Sequence, residues 1–368
     1  MSAVVGCATD WSLVAVDRPT GQRIAIPKFS RLAGDRRQRD ISQLTVQVPR
    51  TAGCCAAVSQ LSLWRHDLQA YREGELVWAG PLTYRARTTS GDNITLEAVD
   101  RLGWSRVRRL RTTRTLTGEP CRLLLRVLAD SLGVEADPIA FEHRLIDTGL
   151  TRDLAWAAED ARFAWDIIRV LADSVLDLTM VGTTLRAGTT TMGTTPRGTI
   201  HQRHLSQDLA IVEDGWRIAT NVAARGELLG VWPPETAGPQ VNRTIGLVDA
   251  VIDRTDLTTT TALTAAAREA WQQRSSARVA ISPDSSGQLL PGSGIAFADL
   301  VPGARFRIEA EDDCGSATST YDLASMSFVI GSGGPVARDA GGRFSTQADA
   351  ETEQVSVSWA ESRELVTT

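Results

Sequence analysis

The sequence has few of the residues that build covalent frameworks, metal centres or membrane spans. Its 368 residues include five cysteines and four histidines, and no two cysteines have CxxC spacing. An odd cysteine count with the adjacent pair 54–55 argues against a disulfide framework or a zinc site. No apolar run reaches the ~18 residues that a membrane span needs. We therefore expect a globular protein that assembles in a reducing compartment without stable membrane insertion.

Lysine is almost absent, and the net charge is negative. Lys28 is the only lysine among 39 basic residues, and the formal net charge is −5. A chain of this charge lacks the basic footprint of a general nucleic-acid binder, so we expect no specific nucleic-acid partner. The dominance of arginine is typical of GC-rich coding. Arginine also has planar, forked donors that suit contacts between subunits.

Signatures of catalysis are missing as well. The sequence has no GxSxG, HExxH, GxGxxG or GK[ST] motif. His201 and His204 have the spacing of two metal ligands on a helix, but their Thr- and Arg-rich surroundings do not predict a helix. Adjacent acids such as Glu159–Asp160 point to opposite faces of a strand. We therefore predict that the protein is not an enzyme, with no catalytic residue, no metal site and no cofactor.

Short β-strands dominate residues 1–115. Apolar and polar residues alternate at 44–48 and 93–100, which predicts two strands that each bury one face. Residues 61–64 have the pattern of a further strand, and Gly74 occupies a tight hairpin turn. Many short strands in one stretch predict a small barrel or sandwich.

Helical periodicity begins after residue 116. Leucines from Leu124 to Leu132 share one face of a predicted helix that ends at Gly133, a typical C-terminal cap. A second helix is predicted over 156–174, and a hairpin that turns at Gly182 follows it.

These changes of pattern divide the chain into four predicted segments. They are a first β-barrel domain at 1–115, a helix-plus-hairpin domain at 116–200, a second β-barrel domain at 201–330 with a helix at 261–275, and a flexible arm with a final strand at 331–368.

Three stretches resemble the tail-hub, or baseplate-hub, family of long-tailed phages, especially the minor tail proteins of actinobacteriophages. The first stretch contains YREGELVWAGPL and then ITLEAVDRLGWSRVRRL. In the family, a hairpin of the form dGelvWsGpv precedes a strand that ends in a.D.lgWl..R. The matching positions in this sequence are Gly74, Trp78, Gly80, Pro81, Asp100, Trp104 and Arg109.

The other two stretches follow in the order that the family has. WDIIRVLADSVLDLTMVGTTLRAG resembles the helix and hairpin before the family's second barrel. EDGWRIATNVAARG, followed later by FADLVPGARFRIEAED, resembles the second barrel itself.

The resemblance implies an α+β, mainly β fold with two small tail-tube-like β-barrel domains and a helical and β insertion between them. It implies a structural virion protein at the tail tip, assembled in the host cytoplasm. A homotrimer would close the tail tube and contact the distal tail protein, the tape measure protein and downstream minor tail proteins or fibres. Two alternatives stay open, a distal tail protein in a six-fold ring and a receptor- or carbohydrate-binding tail module.

Arginines and one tryptophan are the candidate contact residues. A nucleic-acid site would interleave aromatic residues with the arginines, and Trp104 is the only aromatic residue in the run. Trp232, beside two prolines, has the character of an interface anchor. The interface candidates are Arg101, Arg106, Arg108, Arg109, Arg111, Arg114 and Trp232.

Overall fold

The structure of the chain is a computed structural model. It describes residue 5 and residues 10–89, 91–132, 142–188, 195–213, 218–233, 246–254, 259–274, 279–281, 287–312, 315–331, 337–338, 344–345 and 353–360.

Strands outnumber helices in the described part of the chain. The first twelve strands are β1 Trp11–Asp17, β2 Arg23–Ile26, β3 Arg31–Arg37, β4 Gln43–Pro49, β5 His66–Arg72, β6 Glu75–Arg87, β7 Asn93–Val99, β8 Arg114–Gly118, β9 Glu142–Leu145, β10 Arg152–Trp156, β11 Asp177–Val181 and β12 Thr184–Gly188. The later strands are β13 Thr199–His201, β14 Ile211–Glu213, β15 Asn221–Arg225, β16 Leu229–Trp232, β17 Asp249–Asp253, β18 Val279–Ile281, β19 Gly287–Leu289, β20 Arg305–Asp312, β21 Gly315–Gly331, β22 Ala337–Arg338, β23 Phe344–Ser345 and β24 Gln354–Ala360. The helices are α1 Ala52–Ser59, α2 Trp104–Val107, α3 Pro120–Leu132, α4 Ala164–Ser174 and α5 Thr260–Arg274.

Contacts divide the chain into two units. The larger unit comprises Met1–Asp208, Pro283–Glu309 and Thr320–Arg363, and the smaller comprises Leu209–Ser282, Ala310–Ser319 and Glu364–Thr368. The four segments of the sequence analysis follow changes of sequence pattern rather than contacts, and that division stays a prediction.

One large sheet joins strands from both ends of the chain. Its twelve strands follow the order β13-β20-β21-β3-β4-β7-β6-β5-β1-β2, with β24 paired to β21 and β19. Within the described residues this order ends at β13 and β2, which do not pair with each other. The mainly β, α+β class is therefore confirmed, whereas the two barrel domains stay a prediction.

Alternation of residue type explains the central strands of this sheet. Leu44 and Val46 of β4 are buried and lie opposite Ala98 and Leu96 of β7. Successive side chains of a strand point to opposite faces, so the period-two pattern places one apolar face in the core. Gly34 of β3 allows the Phe328 ring to lie against the backbone, because a Cβ at position 34 would be only 2.5 Å from that ring.

A second core lies between α3, α4 and the three-stranded sheet β11-β12-β9. Leu124 and Leu128 of α3 and Ile168 of α4 are buried together with Leu178 and Leu185 of this sheet. The apolar face of each helix has the spacing that the sequence analysis used to predict it. The Gly133 cap predicted for α3 lies outside the described residues.

Two local predictions were wrong. Residues 61–64 form a turn rather than a strand, and Trp64 has a φ of 59°. The helix predicted over 156–174 begins only at Ala164, because β10 pairs with β8 just before it. At 61–64 only Leu61 is buried, so the apolar pattern there does not reflect a strand face. At 156–163 the pairing of β10 with β8 is a contact between distant residues that local periodicity does not show.

The smaller unit has a modest core. Helix α5 packs on one face of the sheet β16-β15-β17, and its buried residues Leu263, Ala266 and Ala267 contact Val222 and Ala224 of β15. The helix predicted at 261–275 is thereby confirmed. Because four of these residues are small or β-branched, the helix lies close to the strands.

A buried ion pair connects β5 to the residue that precedes β24. Nε and Nη2 of Arg72 donate to the two carboxylate oxygens of Glu353, at 2.6 and 2.8 Å. The two side chains are 3% and 1% exposed and lie 281 positions apart in the sequence. The Arg72 guanidinium also lies over the Phe297 ring. Such a pair holds two distant segments in one register as long as both charges are present.

We expect either Arg72→Met or Glu353→Gln to lower the free energy of unfolding by about 3–5 kcal/mol, because each leaves one buried charge without its partner. The double variant Arg72→Met, Glu353→Met is expected to recover much of that loss, since it removes both charges. Denaturant unfolding of the three variants measures these differences.

Arg169→Met is the matched control for this series. Arg169 pairs with Asp173 on the surface of α4, and these side chains are 69% and 68% exposed. A surface pair of this kind contributes about 0–1 kcal/mol. Equal losses for Arg72→Met and Arg169→Met would contradict a special role of the buried pair.

Candidate functional site

The hairpin between β5 and β6 favours glycine at two positions, Gly74 and Gly80. Gly74 has a φ of 78°, which favours glycine, and follows Glu73 with a φ of 48°. Gly80 packs so closely on β7 that a Cβ would lie 1.8 Å from the Val99 carbonyl oxygen. Trp78 is buried beside these turns. These motif residues therefore shape the backbone rather than form a surface.

Asp100 fixes the chain where β7 ends. Its Oδ2 accepts from the Ser42 backbone N–H at 2.7 Å, and its Oδ1 accepts from the Leu102 N–H at 2.9 Å. The second bond caps the helical turn that leads into α2. Burial raises the pKa of Asp100 to about 7, against the opposing effect of the donors from Ser42 and Leu102.

Trp104 is the centre of a cluster of arginines and aromatic rings. The guanidinium groups of Arg18 and Arg108 lie 4.3 and 4.7 Å from the centre of its ring. The Trp64 ring meets it edge-on at 4.6 Å. The cluster holds the turn that the sequence analysis predicted to be a strand against the start of α2.

Asp67 forms ion pairs with two arginines, Arg18 and Arg101. Arg18 and Arg101 lie 3.3 and 3.2 Å from its carboxylate oxygens. Burial raises the pKa of Asp67, and the two guanidinium charges oppose that rise. Pro81, a further motif residue, lies opposite Asp67 in the pairing of β5 with β6. Arg101, which was predicted to contact another subunit, therefore pairs with an acid of its own chain.

Two more of the interface candidates also have partners within the chain. Arg106 lies 2.8 Å from Asp40 and over the Trp165 ring, and Arg114 lies 3.1 Å from Asp130. The predicted intersubunit role of these arginines stays untested. Their internal partners show that a structural role is sufficient to explain them.

Arg109 and Arg111 differ from the others. Both are exposed, and neither forms an ion pair with any residue in the described ranges. Arg109 lies across an antiparallel bridge from Phe163, which is 44% exposed. The backbone of Arg162, also exposed, accepts from the Leu110 N–H at 3.0 Å. Arg109, Arg111, Arg162 and Phe163 define a basic and apolar surface, called the Arg109 surface below.

Trp232 lies in the smaller unit and is half-buried. It packs against the core between β15 and α5, and the Arg268 guanidinium lies 4.8 Å from the centre of its ring. Its ring is therefore partly used inside the unit. Its proposed role as an interface anchor stays a prediction.

The two histidines with metal-ligand spacing are engaged in other contacts. His201 Nδ1 lies 2.9 Å from Glu309, and His204 Nδ1 accepts from the His201 backbone N–H at 3.3 Å. Burial, with the charges of His201 and Arg203, lowers the pKa of His204. The described part of the chain contains no cluster of three His, Cys, Asp or Glu residues arranged to hold a metal ion. No described helix is long and apolar enough to cross a membrane.

Comparison of the sequence with protein families and with curated proteins finds no match. The structure, by contrast, is similar to solved tail proteins along nearly its whole length. The tail protein from Neisseria meningitidis has 13% identity and a TM-score of 0.52, with 95% of this chain and 96% of that one covered. The prophage MuSo2 43 kDa tail protein from Shewanella oneidensis has 10% identity and a TM-score of 0.52, with 95% and 98% covered.

A third similar structure is the prophage tail protein gp18 from Listeria monocytogenes. It has 9% identity and a TM-score of 0.53, with 96% of this chain and 95% of that one covered. At such low identities the likeness concerns the fold. The chain therefore has a fold that phage and prophage tail proteins use.

One buried and one half-buried arginine were not predicted from the sequence. Arg36 of β3 and Arg186 of β12 were not singled out, although Arg36 follows Leu32 and Gly34 at the spacing of the buried face. A charged residue at a core-facing position of a strand is a signal that could have identified it.

We expect the stability of the protein to depend on the titration of Asp100. Its folded pKa of about 7 lies above its ordinary value of 3.8, so the folded state binds the proton more tightly between these values. The free energy of unfolding should therefore fall as pH rises through this window. Asp100→Asn removes the titrating group, and this part of the fall should be absent from unfolding curves of the variant.

Comparing the two proteins isolates Asp100 from all other titrating groups. Asn keeps one acceptor oxygen but loses the second, so the variant should also be less stable by about 1–3 kcal/mol at low pH. Parallel pH profiles of wild type and Asp100→Asn would contradict the raised pKa.

Proposed function

We propose that the protein is a structural component of a phage tail, and specifically a trimeric hub at the tail tip. The observation that carries the proposal is the fold, which is similar over about 95% of the chain to that of three tail proteins. The residues that resemble the hub pattern support the proposal, because Gly74 lies in a tight turn, Gly80 in a close strand contact and Asp100 at a helical cap.

In this proposal three copies form a closed ring at the end of the tail tube. The ring contacts the distal tail protein above it and the tape measure protein inside the tube, and it carries downstream minor tail proteins or fibres. Closed rings of identical subunits use two different, complementary surfaces on each copy. The resemblance predicts two tail-tube-like barrels in each copy, so three copies would give a ring with pseudo-six-fold symmetry.

The Arg109 surface is the candidate contact for a neighbouring copy or tail protein. Its arginines are exposed, have no ion pair within the described ranges and lie beside an exposed phenylalanine. Two acids close in sequence to Arg162, Glu159 and Asp166, already accept from the Thr113 hydroxyl and from the Phe163 N–H. Forked donors next to an aromatic ring are typical of residues that dominate an interface.

The symmetry of the assembly tests the proposed position. Electron microscopy of the purified protein and of tails that contain it should show a three-fold ring at the tip. A six-fold ring would instead assign the chain to the distal tail position. A monomer that binds glycans and is absent from the ring would contradict both and favour a receptor module.

We expect the double variant Arg109→Glu, Arg111→Glu to lower the trimer fraction by about tenfold or more at a given concentration, because it opposes like charges in the contact. Light scattering measures the mass of the assembly, and thermal unfolding checks that the subunit is intact.

The matched control is Arg87→Glu, Arg203→Glu. These arginines are also exposed and have no ion pair within the described ranges, so the change in net charge is identical. If both double variants weaken the trimer equally, the effect is one of net charge, and the Arg109 surface is not the contact.

A further inference from the structure

The polar face of the sheet β11-β12-β9 presents arginines in adjacent positions. Thr179 of β11 lies opposite Arg186 of β12, and Arg186 lies opposite Arg144 of β9. Directly opposite residues of neighbouring strands share a face with their Cβ atoms about 5 Å apart. The other face of this sheet carries Leu178 and Leu185 into the core with α3 and α4. Thr179, Arg186 and Arg144 therefore lie side by side on the face away from those helices.

Elements of the large sheet lie close to the hairpin that β11 and β12 form. The Arg39 N–H, just after β3, donates to the Leu178 carbonyl, and Trp78 of β6 forms a bridge with Gly182. Arg36 of β3 is 2% exposed. Burial, and then the nearby charge of Arg186, lowers the pKa of Arg36 to about 9. The charge of the half-buried Arg186 thus acts on the buried Arg36.

The contacts of Arg36 leave its charge uncompensated. Its Nη groups donate to the Val77 carbonyl at 2.6 Å and the Leu300 carbonyl at 3.3 Å, and one lies 3.8 Å from the Met326 sulfur. No carboxylate of the described residues pairs with it, and its buried Nε has no hydrogen bond. The hydroxyl of Thr179, which is fully buried, also has none. Buried polar groups without partners are rare and indicate a missing water or ligand.

Positive charge continues from this point to the surface. Arg186 is half-buried, and Arg144 and Arg197 are exposed. Burial, and then the charges of Arg144 and Arg197, lowers the pKa of Arg186. The charges of Arg144 and Arg197 therefore act on Arg186 in the same direction as its burial.

The acids on the same face are used elsewhere. Asp177 pairs with Arg39, and Glu142 accepts from the Thr184 hydroxyl at 3.1 Å. Asp177 and Glu142 therefore leave the charge of Arg36 unbalanced. We call Arg36, Arg186, Arg144, Arg197 and Thr179 the arginine row.

We propose that the arginine row binds a small oxyanion of phosphate or carboxylate type, held between Arg36 and Arg186 with the Thr179 hydroxyl as a further donor. All of these groups donate hydrogen bonds, which suits an anion and excludes a metal ion as ligand. Guanidinium groups bind phosphate and carboxylate with short, charge-assisted hydrogen bonds. The exposed Arg144 and Arg197 would attract the anion to the entrance. This site is independent of the proposed tail function.

Inorganic phosphate at millimolar concentration and constant ionic strength is the first probe. We expect it to raise the midpoint of thermal unfolding by about 2–4 °C, because a ligand of the folded state stabilises it. Arg186→Gln should abolish the shift. The matched control Arg169→Gln, which changes an exposed arginine of α4, should keep it. Acetate in place of phosphate distinguishes a carboxylate site from a phosphate site.

The double variant Arg144→Gln, Arg197→Gln keeps the proposal testable if Arg186→Gln does not fold. Both residues are exposed, so we expect the fold to be unchanged. The phosphate concentration that gives half of the maximal rise in the unfolding midpoint should increase several-fold. Equal phosphate shifts in wild type and in these variants would overturn the site. The absence of a shift with both anions would also overturn it, and would indicate that water satisfies Arg36 and Thr179.

Discussion

The large sheet depends on hydrogen bonding between β3 and β21, which brings together the two ends of the described chain. Arg36 and Met326, paired across these strands, are 290 positions apart. Strand β21 pairs along its length with β20, β3 and β24. Removing this pairing would expose an edge of β3 and separate Gly34 from the Phe328 ring that packs on it. This one antiparallel contact joins strands β1 to β7 to the strands from the later part of the chain.

Two buried arginines lie close to the pairing of β3 with β21. Arg72, Arg36 and Phe297 lie in one cluster, with both guanidinium groups over the same ring. A lysine could not replace either arginine there, because a compact ammonium has no planar group to stack on the ring. In this part of the core, arginine stacks on an aromatic ring and forms forked hydrogen bonds in addition to carrying a charge. Lysine, which is scarce in this sequence, lacks a planar group for these two interactions.

Much of the secondary structure could be predicted, and most of the site could not. The period of Leu44, Val46 and their neighbours and the turn at Gly74 depend on local pattern, and both are confirmed. The arginines were harder, because the acids Asp67, Asp40 and Asp130 that meet Arg101, Arg106 and Arg114 come from other parts of the chain. Sequence spacing shows which residues are charged, but the pairing of strands decides which charges meet.

The order of the strands also constrains how the chain matures on the ribosome. Strands β1 to β7 emerge first, yet β3 gains its second neighbour only when β21 has been synthesised, and Glu353 reaches Arg72 later still. Contacts of such long range make folding slow and dependent on late segments. A chain whose synthesis stops before residue 315 therefore cannot complete the large sheet. Only a chain translated beyond β24 can form all twelve strands of this sheet, so the topology couples completion of the sheet to a late step of synthesis.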